Sequence, residues 1–374
     1  MAEYTFWDTN CGVDPVAPES NRTPNPEVTD MELASYIVTD WQPYGFASAA
    51  ARTVVREFLD LIMVADGGKW VMKRQSSLLS RGWRGMISEA VGIAFSRHSL
   101  RVTKGYDFCV HTDHFLKKGI FHSDCFRVER NNDKVLRPDY LLAARRFHAR
   151  RPGDAAEHVS ASLEVKGTAR NIRGQVPPNQ KIQSENIRLI RINGGEETLI
   201  PLQQNLLSIV RANSSLITEI PRSVDVRHAN YYYLFPYLEF EDQREELFLM
   251  LVLGHYLRIL DHMTNHRFTP QVCSMFRYST IHYMIQGEQL FAEIVRASEN
   301  LQEEGLVFVS DPLFKLLDEF FTGELFKAIR SSGNLAPLDK HLERMEQESE
   351  VMTNEDVYCR PDGFMFRLPR NQKG

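Results

Sequence analysis

Hydrophobic positions change their spacing twice along the chain, and each change marks a change of predicted element. The first 30 residues are rich in Pro, Asn, Asp and Thr without an apolar period, which predicts an extended N-terminal arm. Residues 48–65, SAAARTVVREFLDLIMVA, and 82–98, GWRGMISEAVGIAFSRH, place apolar side chains at helical spacing among good helix formers. Two helices are predicted there, the second mostly buried. From about residue 99 the runs shorten and fill with β-branched and aromatic residues. SLRVTKGYDFCVHT, KGIFHSDCFRVER, KVLRPDYLLAA, HVSASLEVKG and IRLIRING read as a sheet.

After about residue 200 helical spacing returns, in IPLQQNLLSIVRANSSL, QREELFLMLVLGHYLRILDHM, STIHYMIQGEQLFAEIVRASENLQEE and DPLFKLLDEFFTGELFKAIRSS. The aromatic run NYYYLFPYLEF at 230–240 reads as a strand or an extended plug, in the core or between the two halves. This order predicts an α/β core near 31–200, after an arm at 1–30, and a mainly α-helical region at 201–374.

Composition adds limits to this outline. The chain has 374 residues, 43% of them hydrophobic, enough to fill a sizeable core. Its most apolar stretch, LFLMLVLGHYLRIL at 247–260, is broken by His255 and Arg258 and falls short of the roughly 20 apolar residues of a membrane helix. The N-terminal residues show no basic start followed by an apolar run, so a cytoplasmic protein without a membrane partner is expected. Five cysteines without a CxxC pair argue against zinc knuckles, iron–sulfur sites and disulfide frameworks. The net charge of -5 hides an uneven distribution: residues 131–191 hold 12 Lys/Arg and 6 Asp/Glu, a local +6 that leaves -11 elsewhere. A basic segment on an acidic body points to a polyanionic ligand.

The candidate chemistry lies in that segment. In HVSASLEVKG side chains alternate between faces, so Ser162, Glu164 and Lys166 share one face while Leu163 and Val165 take the other. Upstream, Pro138 stands at the start of a second strand, where its missing N–H is tolerated, and Asp139 follows. Neighbouring strands let Asp139 and Glu164 converge. Two such carboxylates repel unless a cation sits between them, and Mg²⁺ accepts one or two carboxylates with waters and phosphate oxygens. The Lys166 ammonium is then placed to orient a water or to stabilise charge on phosphorus.

Pro138-Asp139 followed by Glu164-Val165-Lys166 resembles the signature of the PD-(D/E)XK nuclease superfamily. The resemblance covers roughly residues 80–200. It implies a restriction-endonuclease-like mixed sheet flanked by helices, built as helix, three strands, helix, strand. It further implies Mg²⁺-dependent hydrolysis of DNA phosphodiesters, with Mn²⁺ as a substitute and RNA not excluded. Asp139 and Glu164 would be metal ligands, Lys166 would act on the water or transition state, and Glu89, on the preceding helix, would be an auxiliary ligand. The later helix of the family often supplies a polar residue, and Gln180, Lys181 and Gln183 are the candidates. Yet Gly174, Pro177 and Pro178 stand where that helix is due. Arg145, Arg146, Arg150, Arg151, Arg170 and Arg173 are the expected phosphate contacts. Restriction or defence against phage and plasmids is the implied setting, with the helical half serving recognition, dimerisation or regulation by a partner protein or signal.

Competing readings are weaker in chemistry. A non-catalytic nucleic-acid-binding or assembly protein would keep the same fold and basic face. The second Arg-Pro-Asp, at 360–362, has no acid-any-lysine after it and reads as a turn at Asp362-Gly363. His262 and His266 stand one helical turn apart with His255 upstream, but without HExxH or a clear third ligand they read as helix-end histidines. No GxxxxGK[ST] or GxGxxG loop is present.

Overall fold

The computed structural model describes residues 2–3, 5–10, 27–41, 63–66, 69–72, 80–112, 126–129, 136–146, 157–167, 178–193, 196–200, 202–211, 214–220, 243–263, 307–354 and 357–366. The elements begin with β1 (Ala2–Glu3), β2 (Thr5–Asn10), β3 (Glu27–Val28), α1 (Asp30–Tyr36, continued by a π-type turn over Ile37–Trp41), β4 (Met63–Asp66) and β5 (Lys69–Met72). The central part comprises α2 (Arg81–Lys104), β6 (Phe108–His111), β7 (Phe126–Glu129), β8 (Tyr140–Arg146), β9 (Glu157–Gly167), α3 (Pro178–Glu185), β10 (Arg188–Asn193) and β11 (Glu196–Ile200). Then follow β12 (Gln204–Arg211), β13 (Ser214–Ile220), α4 (Gln243–Met263), β14 (Val307–Val309), α5 (Asp311–Phe321), α6 (Glu324–Ser332), α7 (Ala336–Met352), β15 (Tyr358–Cys359) and β16 (Phe364–Phe366).

A mixed six-stranded sheet in the order β2-β13-β12-β9-β8-β6 forms the centre. Strands β6, β8 and β9 are successively antiparallel, and β12 joins β9 in parallel after the excursion through α3. Side chains alternate as a strand requires. Tyr140, Leu142 and Ala144 of β8, with Val159, Ala161 and Leu163 of β9, pack in one cluster with Ala90, Val91, Ala94 and Phe95 of α2. Leu141 and Ala143 face the opposite way, into a cluster with α4 and the α5–α7 layer. The molecule is thus mixed α/β, with α2 and α4 on opposite faces of the sheet.

Both covering helices are enclosed, which explains their composition. Ser80 caps α2, accepting from the Trp83 N–H at 3.4 Å, and Gly105 ends it in the left-handed region at φ 70°. Every residue from Ala90 to Leu100 is buried, whereas Arg81 to Met86 are exposed. In α4 the run Leu247–Leu253 is buried throughout, between the sheet and the layer of α5, α6 and α7. Burying one such side chain contributes about 1.5–3 kcal/mol.

Two glycines set how closely α2 approaches the sheet. A Cβ at Gly92 would stand 2.9 Å from the Gly167 N, and one at Gly167 would stand 1.7 Å from the Ser88 carbonyl oxygen. The end of β9 therefore touches the α2 backbone directly.

Several sequence expectations are corrected. Residues 204–211 and 214–216, read as helical, lie in the paired strands β12 and β13, which extend the sheet beyond residue 200. Central strands are apolar on both faces, and Leu206, Leu207 and Val210 imitate the helical four-residue step. The last residues of the predicted 48–65 helix, from Met63, belong to β4, which pairs with β5 in a hairpin with only Gly67 and Gly68 between the paired strands. The rest of that stretch, 230–240 and 279–304 lie outside the described residues. Residues 99–104, read with the strands, continue α2. The helix that seemed blocked by prolines is α3, and Pro178 opens it, where a proline's missing N–H has no helical partner to lose.

A buried ionic network ties the N-terminal segment to the second half of the chain. Asp40 accepts from Arg97 Nε at 2.7 Å and from Arg258 Nη2 at 2.6 Å. Burial alone would raise the Asp40 carboxyl, but the Arg97 and Arg258 guanidiniums overcome it and hold it well below the usual carboxylate range. Asp362, in the turn before β16, pairs with Arg360 and lies 2.9 Å from His255 Nε2 of α4. The guanidinium of Arg360 also donates to Thr39 Oγ1 at 2.7 Å. His255, part of the metal-spaced histidine pattern, is instead a buried structural group.

Candidate active site

The antiparallel register of β8 and β9 pairs Tyr140 with Leu163. One step further along both strands, Asp139 stands opposite Glu164. The lead-in to Asp139 is fixed from three sides. Gln183 and Asn186, in and just after α3, donate to the Arg137 and Leu136 carbonyls at 3.0 and 3.2 Å. The Thr112 N–H donates to the Asp139 carbonyl at 2.9 Å, and the Tyr140 hydroxyl to the Asp40 carbonyl at 3.0 Å.

The two carboxyl groups lie close enough that each perturbs the other's proton affinity. Asp139 Oδ2 accepts from the Val165 N–H at 2.9 Å. Glu164 is only 3% exposed, and its Oε2 has no hydrogen-bond partner. Burial raises the pKa of Glu164, and the negative charge of Asp139 raises it further. Burial also raises Asp139; the Val165 N–H and Lys166 oppose this, while the charge of Glu89 adds to it. Two buried carboxyls this close cannot both ionise without cost, so each favours the neutral form of the other.

Lys166 is exposed, two positions beyond Glu164 on the same strand face. Glu89 is exposed on α2, one residue from the Ser88–Gly167 contact, and acts on Asp139 through its charge. Among the described residues no three His, Cys, Asp or Glu side chains gather closely enough to hold a metal ion. Glu89 thus stands near the pair without closing a three-acid cluster with it.

No family model, curated protein or solved structure matches the chain. What the site can do therefore rests on its own geometry. Two buried carboxyls that perturb one another, one with an orphaned oxygen, suit a divalent cation: its charge would relieve their repulsion and its coordination would satisfy Glu164 Oε2. Asp139 and Glu164 would hold it.

Among the expected phosphate contacts, Arg145 is engaged elsewhere. Its side chain is 5% exposed and binds Glu343 at 3.1 Å, Glu346 at 3.2 Å and the Asp339 carbonyl at 2.8 Å, all on α7. Three acceptors on one helix consume the guanidinium, so it braces α7 against β8. Arg146 lies in β8, and Arg150, Arg151, Arg170 and Arg173 fall outside the described residues. In α3, Gln180 has a buried Oε1 without a partner, Gln183 holds the Arg137 carbonyl, and Lys181 is in the helix between them.

Sequence reasoning missed Asn186 and a polar layer beside the pair. Ser162 Oγ lies 2.7 Å from the Ser184 carbonyl and 2.9 Å from Asn205 Oδ1, and Ser160 binds Gln203. The alternating serines in HVSASLEVKG were the available signal. No helix among the described residues is long and apolar enough to cross a membrane.

Proposed function

We propose that the chain is a metal-dependent endonuclease of the PD-(D/E)XK type that hydrolyses DNA phosphodiester bonds, in restriction or in defence against phage and plasmids. The observation that carries this reading is the facing of Asp139 and Glu164 across β8 and β9, with Glu164 Oε2 buried without a partner and with Lys166 on the same strand face. With β7, β10 and β11 set aside in their own three-stranded sheet, the order α2, β6, β8, β9, α3, β12 supports it: helix, three antiparallel strands, helix and a parallel strand, as in the restriction-endonuclease-like core.

Asp139 and Glu164 would hold Mg²⁺ or Mn²⁺, which when bound would acidify a water and neutralise charge on the phosphate. The Val165 N–H fixes Asp139 Oδ2, so one carboxylate is oriented in advance. Glu164, on the central strand β9 and paired there with Leu207 of β12, keeps a buried Oε2 without a partner. Lys166 brings a mobile cation within reach of the scissile phosphate and of the attacking water. Glu89 adds negative charge at the border, which strengthens cation attraction.

The test is Lys166→Ala assayed for cutting and for binding in parallel. Cleavage should fall about 100- to 1000-fold, the loss typical of one transition-state contact, while DNA affinity in EDTA changes little. Undiminished cleavage in that variant would remove the proposed role. Binding without metal-dependent cutting in the unaltered protein would favour a nucleic-acid-binding module that keeps the fold.

A further inference from the structure

The first two turns of α2 differ from the rest of that helix. Arg81, Gly82, Trp83, Arg84, Gly85 and Met86 are all exposed, ahead of a segment buried from Ala90 to Leu100. Trp83 is 52% exposed and Met86 44% exposed. An added Cβ at Gly82 or Gly85 would meet nothing within 4 Å, so the surface around them is open. The first turn carries no acidic residue.

Spacing and position tie this ledge to the carboxyl pair. Trp83, Met86 and Glu89 succeed one another at three-residue steps, which makes them a row of neighbours on the helix surface. Six residues at 1.5 Å rise put Trp83 about 9 Å along the axis from Glu89, the reach of two or three stacked nucleotides. Glu89 in turn acts on Asp139, and the adjacent Ser88 carbonyl abuts Gly167. The row therefore ends beside the two carboxyls.

Core packing does not account for a half-exposed indole flanked by two exposed arginines. Indole faces stack on bases whatever their identity, and arginines meet phosphates or stack beside the ring. In a blunt duplex the base faces are already stacked on one another. An unpaired strand offers both free base faces and phosphates, which is the chemistry this surface complements.

We infer that Arg81, Trp83, Arg84 and Met86 form a binding ledge for unpaired DNA, with a base stacked on Trp83 and phosphates on Arg81 and Arg84. The strand then runs along α2 towards Asp139 and Glu164, so the preferred substrate is single-stranded DNA or a duplex with an unpaired end. The ledge as a binding surface stands on its own residues; its role in delivering substrate rests on the nuclease reading.

The test uses the full chain in EDTA, with fluorescence anisotropy on a labelled single-stranded oligodeoxynucleotide and on the blunt duplex of the same sequence. Trp83→Ala should lose about five- to hundredfold affinity for the single strand and little for the duplex, with Trp83→Phe close to wild type. Arg81→Ala/Arg84→Ala should flatten the dependence of log affinity on log salt by about 1.4 for the single strand. Circular dichroism melting of Trp83→Ala should match wild type, because the ring is outside the core. Wild-type affinity in Trp83→Ala, or an equal loss on both DNAs, would overturn the inference. Cleavage of an overhang substrate in Mg²⁺ separates the two proposals. A protein that never cuts but needs Trp83 for single strands keeps the ledge and loses the nuclease; one that cuts with Trp83 dispensable does the reverse.

Discussion

Replacing Glu164 with Gln should make the protein more stable and inactive at once. The wild-type pair places two carboxyls side by side out of water, and both have a pKa raised by burial. A carboxyl whose pKa is higher in the folded than in the unfolded state stabilises the fold most when protonated. That contribution is complete below the unfolded value, near 4.5 for Glu164, and is lost as pH rises through the folded value. Each tenfold change in proton affinity is about 1.4 kcal/mol. Glutamine keeps the size and can donate its amide N–H to Asp139, but it has no proton to lose. A conservative expectation is a gain of about 2 kcal/mol at pH 8, seen as a rise of about 3 °C in Tm. At pH 5 the two proteins should differ little. Thermal melting of both across pH 5 to 9, without divalent ions, measures this, alongside plasmid cleavage in Mg²⁺. A Glu164→Gln protein that is less stable at pH 8, or whose advantage does not grow with pH, would refute the raised pKa of the buried Glu164 carboxyl.

Two more substitutions probe the scaffold. Gly167→Ala should cost about 3 kcal/mol or more and should reduce cleavage, because its Cβ would collide with the Ser88 carbonyl and push α2, with Glu89, away from β9; urea unfolding and a cleavage assay measure both. Asp40→Asn should cost about 3–5 kcal/mol by leaving Arg97 and Arg258 uncompensated in the interior, measured by the same unfolding experiment.

The legible parts of the sequence were those where local pattern and final environment agree. In HVSASLEVKG the alternation survives because β9 packs apolar residues against α2 and turns its polar row towards α3 and α4, so Glu164 and Lys166 could be placed on one face. Asp139 was legible because Pro138 marks a strand entrance. Strand β12 was not, because it is buried on both faces and its leucines imitate helical spacing. Arg145 misled because local charge says nothing about which acids a later helix brings: Glu343 and Glu346 stand about two hundred residues away. The Asp40 network was hidden for the same reason, its partners being scattered from Thr39 to Asp362. The exposed start of α2 looked like the beginning of a buried helix, and only the folded arrangement separates its open turns from its enclosed ones.

The most direct measurement is incubation of the purified chain with supercoiled and linear DNA, with and without Mg²⁺ or Mn²⁺, beside an Asp139→Ala/Glu164→Ala variant. Metal-dependent nicking or cutting by the unaltered protein, absent from the variant, is the predicted result. Cleavage that persists in the variant, or that proceeds equally well in EDTA, would contradict a metal-dependent site built on this pair.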